Sequence, residues 1–323
     1  MGEIAIEFKN VSKRFKGNTY DSVSNVDLAI DKGSFVTILG TSGSGKTTLL
    51  KLVNRIYELT EGEILYFGEN IMGLEAKDYR RKIGYVIQQS GLFPHRTVED
   101  NIAVVPRMLK WKKERIQERI RELMELVQLD YEIYRRRYPR SLSGGEQQRV
   151  GIARALATNP SVMLMDEPFG AIDAITRGIL QQEIKRLQKQ LKNTILFVTH
   201  DVYEAFLLGQ KIIVMDKGAI QQYDTPYNIM MHPANEFVKK LITTGDVYDK
   251  LKVLPVDEEL EPATEQEIES GVRIDSSRHL NDALAQFIKE ECRYLIVEED
   301  GQVKGKLVID QLKNVMDDQG GQE

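Results

Sequence analysis

This sequence predicts an α/β protein with a largely parallel central sheet, followed by a smaller α+β domain. The apolar run from Phe35 to Leu39 reads as a buried strand that leads into a glycine-rich loop and a helix. Later apolar strands alternate with helical segments, which is typical of a parallel sheet. After Leu241 the composition changes and an acidic segment precedes the tail, which predicts a second domain.

Length and composition narrow the class of protein. The 323 residues exceed the usual size of one domain, and hydrophobic and charged fractions of 41% and 29% exclude disordered and collagen-like chains. A net charge of −5 provides no global basic field, so we expect no nucleic acid partner. No apolar run is long enough to span a bilayer, and we expect the chain to stay in the cytoplasm.

The secondary structure can be predicted in chain order. Residues Ile4 to Ile30 read as strands, a helix is expected from Lys46 to about Tyr57, and a hairpin follows with Gly62 and Gly68 at its turns. Apolar residues at spacings of three and four predict a helical insert between about residues 98 and 129. Beyond it we expect strands at 162–165, 195–198 and 212–215 and a helix at about 176–191.

The tail is predicted to be a small α+β unit. We place the domain boundary near residue 245 and interpret the acidic residues 257–269 as a solvated linker. A helix is expected at 280–290, followed by strands at 294–297 and 302–309 that a turn at Asp300-Gly301 connects.

The glycine-rich loop fits the phosphate-binding pattern G-x-x-x-x-G-K-[ST]. Gly43 and Gly45 permit backbone conformations that side chains disfavour, Lys46 can neutralise phosphate charge, and the Thr47 hydroxyl can ligate Mg²⁺. The positive end of the following helix dipole also favours an anion. The predicted ATP-binding loop comprises Gly40, Thr41, Ser42, Gly43, Ser44, Gly45, Lys46, Thr47 and Thr48.

Three further residues follow apolar strands, where ligand sites form in open α/β sheets. Asp166 and Glu167 end the strand 162–165, so we predict that Asp166 holds Mg²⁺ and that Glu167 is the general base for the attacking water. His200 follows the strand 195–198, and we expect it to contact the γ-phosphate.

The segment Leu142-Ser143-Gly144-Gly145-Glu146-Gln147-Gln148-Arg149 resembles the signature motif of ABC transporter ATPases. Ser143 and the amides around Gly144 and Gly145 would form a second anion cradle at a helix start. The resemblance implies that this cradle closes on the nucleotide of a partner subunit. Many family members have Gln at the position of Glu146, so we rely on the backbone rather than on that side chain.

The same resemblance implies the fold and further site residues. The fold is a P-loop NTPase ABC cassette with a parallel-sheet core, an antiparallel β subdomain and a helical subdomain. Phe15 matches the aromatic residue that stacks on adenine, and Asp173 matches the D-loop aspartate, although Gly170 replaces the usual Ser. Gln88 matches the Q-loop glutamine that reaches Mg²⁺, with Gln89 as an alternative.

Residues 80–89, 91–95, 104–106 and 110–111 resemble those of the ATPases of osmoprotectant importers. The tail, with Gly305, resembles a CBS domain. We therefore predict an ABC domain at 1–245, an acidic linker at 246–270, a CBS-like domain at 271–316 and a disordered end at 317–323.

These resemblances predict an ATP- and Mg²⁺-dependent subunit of an importer for glycine betaine, carnitine or choline. A homodimer would bind integral membrane permease subunits at the cytoplasmic face of the membrane, and act indirectly with a substrate-binding protein. An importer for a polar amino acid or a trimethylated thiol compound remains an alternative, as, more remotely, does a soluble ABC ATPase without a transport role. In the tail, Val308 and Gln311 stand where a CBS domain is expected to have Thr and Asp at its ribose-binding end. We therefore expect weak or no AMP binding. Binding of cyclic di-AMP between paired tails and a purely structural role stay open.

Overall fold

The computed structural model describes residues 3–88, 91–242, 252–258 and 260–309. The chain divides into two compact units, Met1–His200 with Ile213–Gln221, and Asp201–Ile212 with Gln222–Glu323. The predicted boundary near residue 245 lies outside the described residues and stays a prediction.

The N-terminal strands form an antiparallel sheet in the first unit. Its order is β2-β1-β4-β5, and residues such as Ile6 and Phe8 on β1 are buried. Gly62, predicted at a turn, lies inside β4, whereas the turn at Gly68 is confirmed. The strands are β1 (Ile4–Lys13), β2 (Val23–Asp31), β4 (Glu61–Tyr66) and β5 (Glu69–Asn70).

A second sheet of six strands has the order β10-β9-β3-β8-β7-β6. The β3–β8, β8–β7 and β7–β6 pairs are parallel, as predicted, and every residue of β3, β7 and β8 is buried. The strands are β3 (Phe35–Gly40), β6 (Ile83–Val86), β7 (Val162–Asp166), β8 (Thr194–Val198), β9 (Lys211–Asp216) and β10 (Ala219–Asp224).

Eight helices of the first unit are described. The predicted helical insert is confirmed as α3 to α5, with Ile116, Ile120 and Leu123 buried on one face. Helix α1 ends before the predicted Tyr57, because Arg55 has a left-handed backbone (φ 51°) that ends the helix. The helices are α1 (Lys46–Val53), α2 (Ala76–Arg81), α3 (Val98–Ile102), α4 (Val104–Met108), α5 (Lys113–Leu126), α6 (Tyr131–Tyr134), α7 (Gly144–Leu156) and α8 (Ala174–Leu191).

The second unit contains a three-stranded sheet of order β11-β12-β13, in which β11 and β12 are parallel and β12 and β13 form the predicted hairpin. The acidic segment is not only a linker, since it contains helix α12, which begins with a capping box between Thr264 and Glu267. Its elements are α9 (Val202–Leu208), α10 (Pro226–Met231), α11 (Glu236–Ile242), α12 (Glu265–Ser270), β11 (Val272–Asp275), α13 (Leu280–Glu290), β12 (Tyr294–Glu299) and β13 (Gln302–Val308). None of the helices in the described part of the chain has the length and apolar character to span a membrane.

Candidate active site

The phosphate loop connects β3 to α1 through a backbone that needs glycine. Gly45 precedes α1 with φ of 104°, and a Cβ there would lie 2.3 Å from the Ser22 carbonyl oxygen. At Gly40 a Cβ would lie 2.2 Å from the Met215 carbonyl oxygen. No side chain caps the start of α1. Its first amides and the positive end of its dipole are therefore arranged to receive an anion, as the sequence predicts.

Lys46 is held inside this loop. Its ammonium group donates to the carbonyl oxygens of Gly40 and Thr41, each at 2.8 Å, and the residue is only 6% exposed. Burial lowers the pKa of Lys46, against the attraction of Glu167 and Asp166. A lysine ammonium has three N–H donors. The two loop bonds fix its position and leave a donor for a phosphate.

Thr47 and Asp166 meet at the start of α1 and the end of β7. The Thr47 hydroxyl donates to Asp166 Oδ1 at 2.8 Å. Burial raises the pKa of Asp166, with Thr47 opposing and Glu167 reinforcing the shift. A hydroxyl and one carboxylate beside a phosphate loop suit Mg²⁺, which prefers oxygen ligands and substrate phosphates to an all-protein cage. These residues therefore fit the predicted metal.

Glu167 lies between Gln88 and His200. Gln88 Nε2 donates to Glu167 Oε2 at 2.9 Å, and His200 Nδ1 lies 3.4 Å from Glu167 Oε1. The backbone of Glu167 is left-handed (φ 46°), and its N–H donates to the Val198 carbonyl oxygen at 3.0 Å. Left-handed residues with side chains cluster at functional sites, where neighbouring contacts hold them. The structure thus brings the three residues together.

An open cleft of about 560 Å³ connects these groups. It exposes the loop amides, the Lys46 ammonium and the Glu167 carboxylate to one space, which suits a polyphosphate and an attacking water. It is lined by Tyr20, Ser22, Ser42, Gly43, Ser44, Gly45, Lys46, Thr47, Thr48, Gln88, Glu167 and His200.

The signature segment has a different geometry. Ser143 is the N-cap of α7, where its Oγ accepts from the Glu146 N–H at 3.3 Å and its own N–H donates to Glu146 Oε2 at 2.6 Å. The Tyr134 hydroxyl donates to Glu146 Oε1 at 2.8 Å. Burial works to raise the pKa of Glu146, but these hydrogen bonds outweigh it and the pKa is lowered. The Glu146 carboxylate therefore already accepts the Ser143 N–H, an amide of the predicted anion cradle next to Gly144 and Gly145.

Comparison with known proteins decides the family. The sequence profile of the ABC transporter family matches residues 23–170. The glycine betaine/carnitine/choline transport ATP-binding protein of Bacillus subtilis (strain 168) is 43% identical over 309 residues, which are 95% of this chain and 79% of that protein. The glycine betaine uptake system ATP-binding protein of Escherichia coli (strain K12) is 44% identical over 303 residues, 94% of this chain and 97% of that protein. The chain belongs to the ABC transporter ATP-binding proteins.

A solved structure agrees with this family. The dimeric post-hydrolysis state of an ATP-binding cassette bound to ADP and phosphate has a TM-score of 0.64 and 35% identity, covering 68% of this chain and 98% of that chain. The predicted ABC cassette fold is confirmed.

Phe15 and Asp173 are not among the residues that line this cleft, and their predicted roles stay predictions. Phe15 packs edge-on against Tyr57, with ring centroids 5.0 Å apart, whereas Tyr20 is an aromatic residue that lines the cleft. Asp173 caps α8 by accepting the Thr176 N–H at 3.0 Å, and this bond lowers the pKa of Asp173. Tyr20 was not predicted at the cleft, although its place in a polar loop before β2 is a sequence signal that points to it. Gln89 lies outside the described residues.

Proposed function

We propose that this chain is the ATP-hydrolysing subunit of an importer for a quaternary amine osmoprotectant such as glycine betaine, carnitine or choline. The observation that carries the enzymatic part is one cleft lined by Lys46, Thr47 and Glu167, with Asp166 hydrogen-bonded to Thr47. Phosphoryl transfer needs such a positioned base beside a charge-neutralising phosphate loop.

Each of these groups has a defined role in the proposed reaction, and Gln88 has two. Glu167 accepts a proton from the attacking water, and the Gln88 amide holds the carboxylate by its hydrogen bond. His200, on the other oxygen, is placed to contact the terminal phosphate. Thr47 and Asp166, with the oxygen of the Gln88 amide, would hold Mg²⁺, which neutralises charge on the transferred phosphoryl group.

We infer that the signature segment serves the nucleotide of a second copy. Ser143, Gly144 and Gly145 do not line the cleft that the phosphate loop forms in the described residues. A head-to-tail homodimer would bring this segment over the partner's phosphates, with Asp173 at the interface. The dimeric cassette with ADP and phosphate supports this arrangement.

The substrate class rests on the two relatives named above, which match 95% and 94% of the chain and therefore match the tail as well as the cassette. The first is a transport protein for glycine betaine, carnitine and choline, and the second belongs to a glycine betaine uptake system. We infer that this chain binds permease subunits at the cytoplasmic face of the membrane and works with a substrate-binding protein that selects the solute.

Uptake into cells tests this proposal. Cells that lack their own quaternary amine uptake would express this chain with its neighbouring permease and binding protein, and a matched strain would carry Glu167→Gln. We expect radiolabelled glycine betaine to accumulate only with the unaltered chain, and unlabelled choline or carnitine to compete. Competition by a polar amino acid or a trimethylated thiol compound alone would contradict the substrate class.

The tail has a separate proposed role. We propose that residues 271–316 form a CBS-like domain that pairs with its counterpart in the dimer and binds cyclic di-AMP at the interface. Val308 ends β13 in place of an expected Thr, and the predicted Gln311 lies outside the described residues. Calorimetric titration of the full-length dimer with cyclic di-AMP and AMP tests the site. Tight AMP binding would contradict this interpretation, and binding of neither would favour a structural role.

A further inference from the structure

A hydrogen-bonded series leads from helix α6 to the signature serine. The Tyr134 hydroxyl donates to Glu146 Oε1 at 2.8 Å, and Glu146 Oε2 accepts the Ser143 N–H at 2.6 Å. Both oxygens of the carboxylate are thereby used, and Ser143 is fixed in the extended conformation of an N-cap (φ −63°, ψ 162°). The position of Ser143 thus depends on Tyr134 through Glu146, which lies twelve positions after Tyr134 in sequence.

This carboxylate is an unusual neighbour for an anion site. A carboxylate near a phosphate repels it, and hydrogen bonds that hold the carboxylate in another direction reduce this repulsion by keeping the two anions apart. Tyr134 supplies such a bond, and the Arg137 guanidinium lies 4.6 Å from the centroid of the Tyr134 ring. A cation over the ring draws electron density from it and makes the hydroxyl a better donor.

We propose that Tyr134 is a positioning residue for the partner's nucleotide, acting through Glu146. It holds the Glu146 carboxylate against the Ser143 backbone and keeps it from turning toward the phosphate. The Ser143 hydroxyl accepts the Glu146 N–H only at 3.3 Å. A hydroxyl that accepts a hydrogen bond still has its own hydrogen to donate, and in the proposed dimer the Ser143 hydroxyl would donate it to the partner's phosphate. This inference rests on the head-to-tail dimer proposed above.

The test measures ATP-driven dimerisation of the full chain. Glu167→Gln serves as the parent because we expect it to bind ATP without hydrolysing it, and light scattering gives the ATP concentration of half-maximal dimer. Tyr134→Phe removes one hydroxyl, and we expect it to raise this concentration about fivefold, the effect of one charge-assisted hydrogen bond at a partly exposed site. Binding of ATP to the monomer, measured at low protein concentration, should not change.

Tyr131→Phe is the matched control, since Tyr131 lies on the same helix and its ring contacts Arg121 and Arg135 instead. We expect it to shift the midpoint by less than about twofold. With Glu146→Gln added to the parent, Tyr134→Phe should also have less than about a twofold effect, because a neutral amide carries no charge to stabilise.

Three results would overturn the inference, and the last of them would also overturn the proposed dimer. Equal midpoints for Tyr134→Phe and Tyr131→Phe would remove the role of Tyr134. A full shift by Tyr134→Phe in the presence of Glu146→Gln would show that Tyr134 does not act through the carboxylate. A parent that fails to dimerise with ATP would refute the proposed dimer itself, and the inference with it.

Discussion

Two helices of this ABC ATPase begin beside proposed phosphate sites, and they begin differently. Helix α1 follows Gly45 with no side-chain cap, and Lys46 lies buried within its loop. Helix α7 follows Ser143 with a full capping box, in which the Glu146 carboxylate already accepts a hydrogen bond from the Ser143 N–H. The start of α1 thus has the Lys46 ammonium and no side-chain cap on its amides, whereas the start of α7 already has the Glu146 carboxylate beside it.

The difference separates a complete site from a partial one. The loop before α1 needs only a ligand, since Lys46, Thr47 and Glu167 line its cleft and Asp166 is hydrogen-bonded to Thr47. The segment before α7 has no lysine and is preorganised by its own side chains. In the proposed dimer it would contribute to binding only when a second subunit presents a phosphate. Variants at the two helix starts should therefore fail in different ways.

The largest effect is expected at Glu167. Glu167→Gln keeps the size and the contact with Gln88 but cannot accept a proton from water, so turnover should fall by roughly 10²–10⁴-fold. ATP binding should be retained. A steady-state ATPase assay beside equilibrium dialysis measures both, and turnover within a few-fold of the unaltered chain would mean that Glu167 is not the base.

Lys46→Ala and Ser143→Arg distinguish the two helix starts directly. Lys46→Ala should weaken ATP binding to the monomer, because the buried ammonium is lost from the loop. Ser143→Arg should leave that affinity nearly unchanged and still abolish hydrolysis, if Ser143 acts on the other subunit's nucleotide as proposed. Fluorescent-nucleotide binding and ATPase assays separate the effects.

Mixing the two inactive variants sharpens this test. Each mixed dimer has one site with both lesions and one site with neither, so part of the activity should return if one intact site suffices. Normal turnover by Ser143→Arg alone would remove the head-to-tail model.

A smaller effect is expected when alanine replaces a glycine at each helix start. Gly45→Ala should destabilise the fold by about 1–3 kcal/mol, because a Cβ would press on the Ser22 carbonyl oxygen and the left-handed backbone disfavours it. Gly144→Ala should not lower stability, since its nearest neighbour would be the Ala171 Cβ at 3.9 Å. Thermal unfolding compares them, and equal losses would contradict the geometric difference.

The sequence predicts best what local chemistry determines. The phosphate loop and the carboxylates after β7 follow from residue types at fixed spacings, and the structure brings Lys46, Thr47, Asp166 and Glu167 together as expected. Long-range contacts escape such analysis. Helix α1 ends early where Arg55 donates to carbonyl oxygens of a distant turn, at Ile71 and Leu74.

The Tyr134–Glu146 bond illustrates the same limit, because it joins two elements whose approach no local pattern encodes. Helix α12 is a different case. Thr264 and Glu267 have the spacing of a capping box, a local signal for a helix start that the density of acidic residues obscured.

The smallest effect is expected in the tail, at the start of α12, a third helix that begins with a side-chain cap. Glu267 caps α12 and accepts from Lys306 of β13 at 2.7 Å. The bond from Lys306, with those from Thr264, lowers the pKa of Glu267 to about 2. Because this pKa is lowered in the folded state, the stabilisation is fully present above the ordinary value of 4.5 and is lost as the pH falls through about 2.

Digestion of the full chain by pepsin, which is active in acid, measures this stabilisation. Glu267→Gln should make the segment around α12 roughly threefold more susceptible at the upper end of that pH range, and the difference should shrink toward its lower end as the unaltered Glu267 takes up its proton. Glu265→Gln, at an exposed position of the same helix, is the matched control and should leave cleavage unchanged. A difference that stays constant with pH would mean that the ionised carboxylate does not hold α12 to β13.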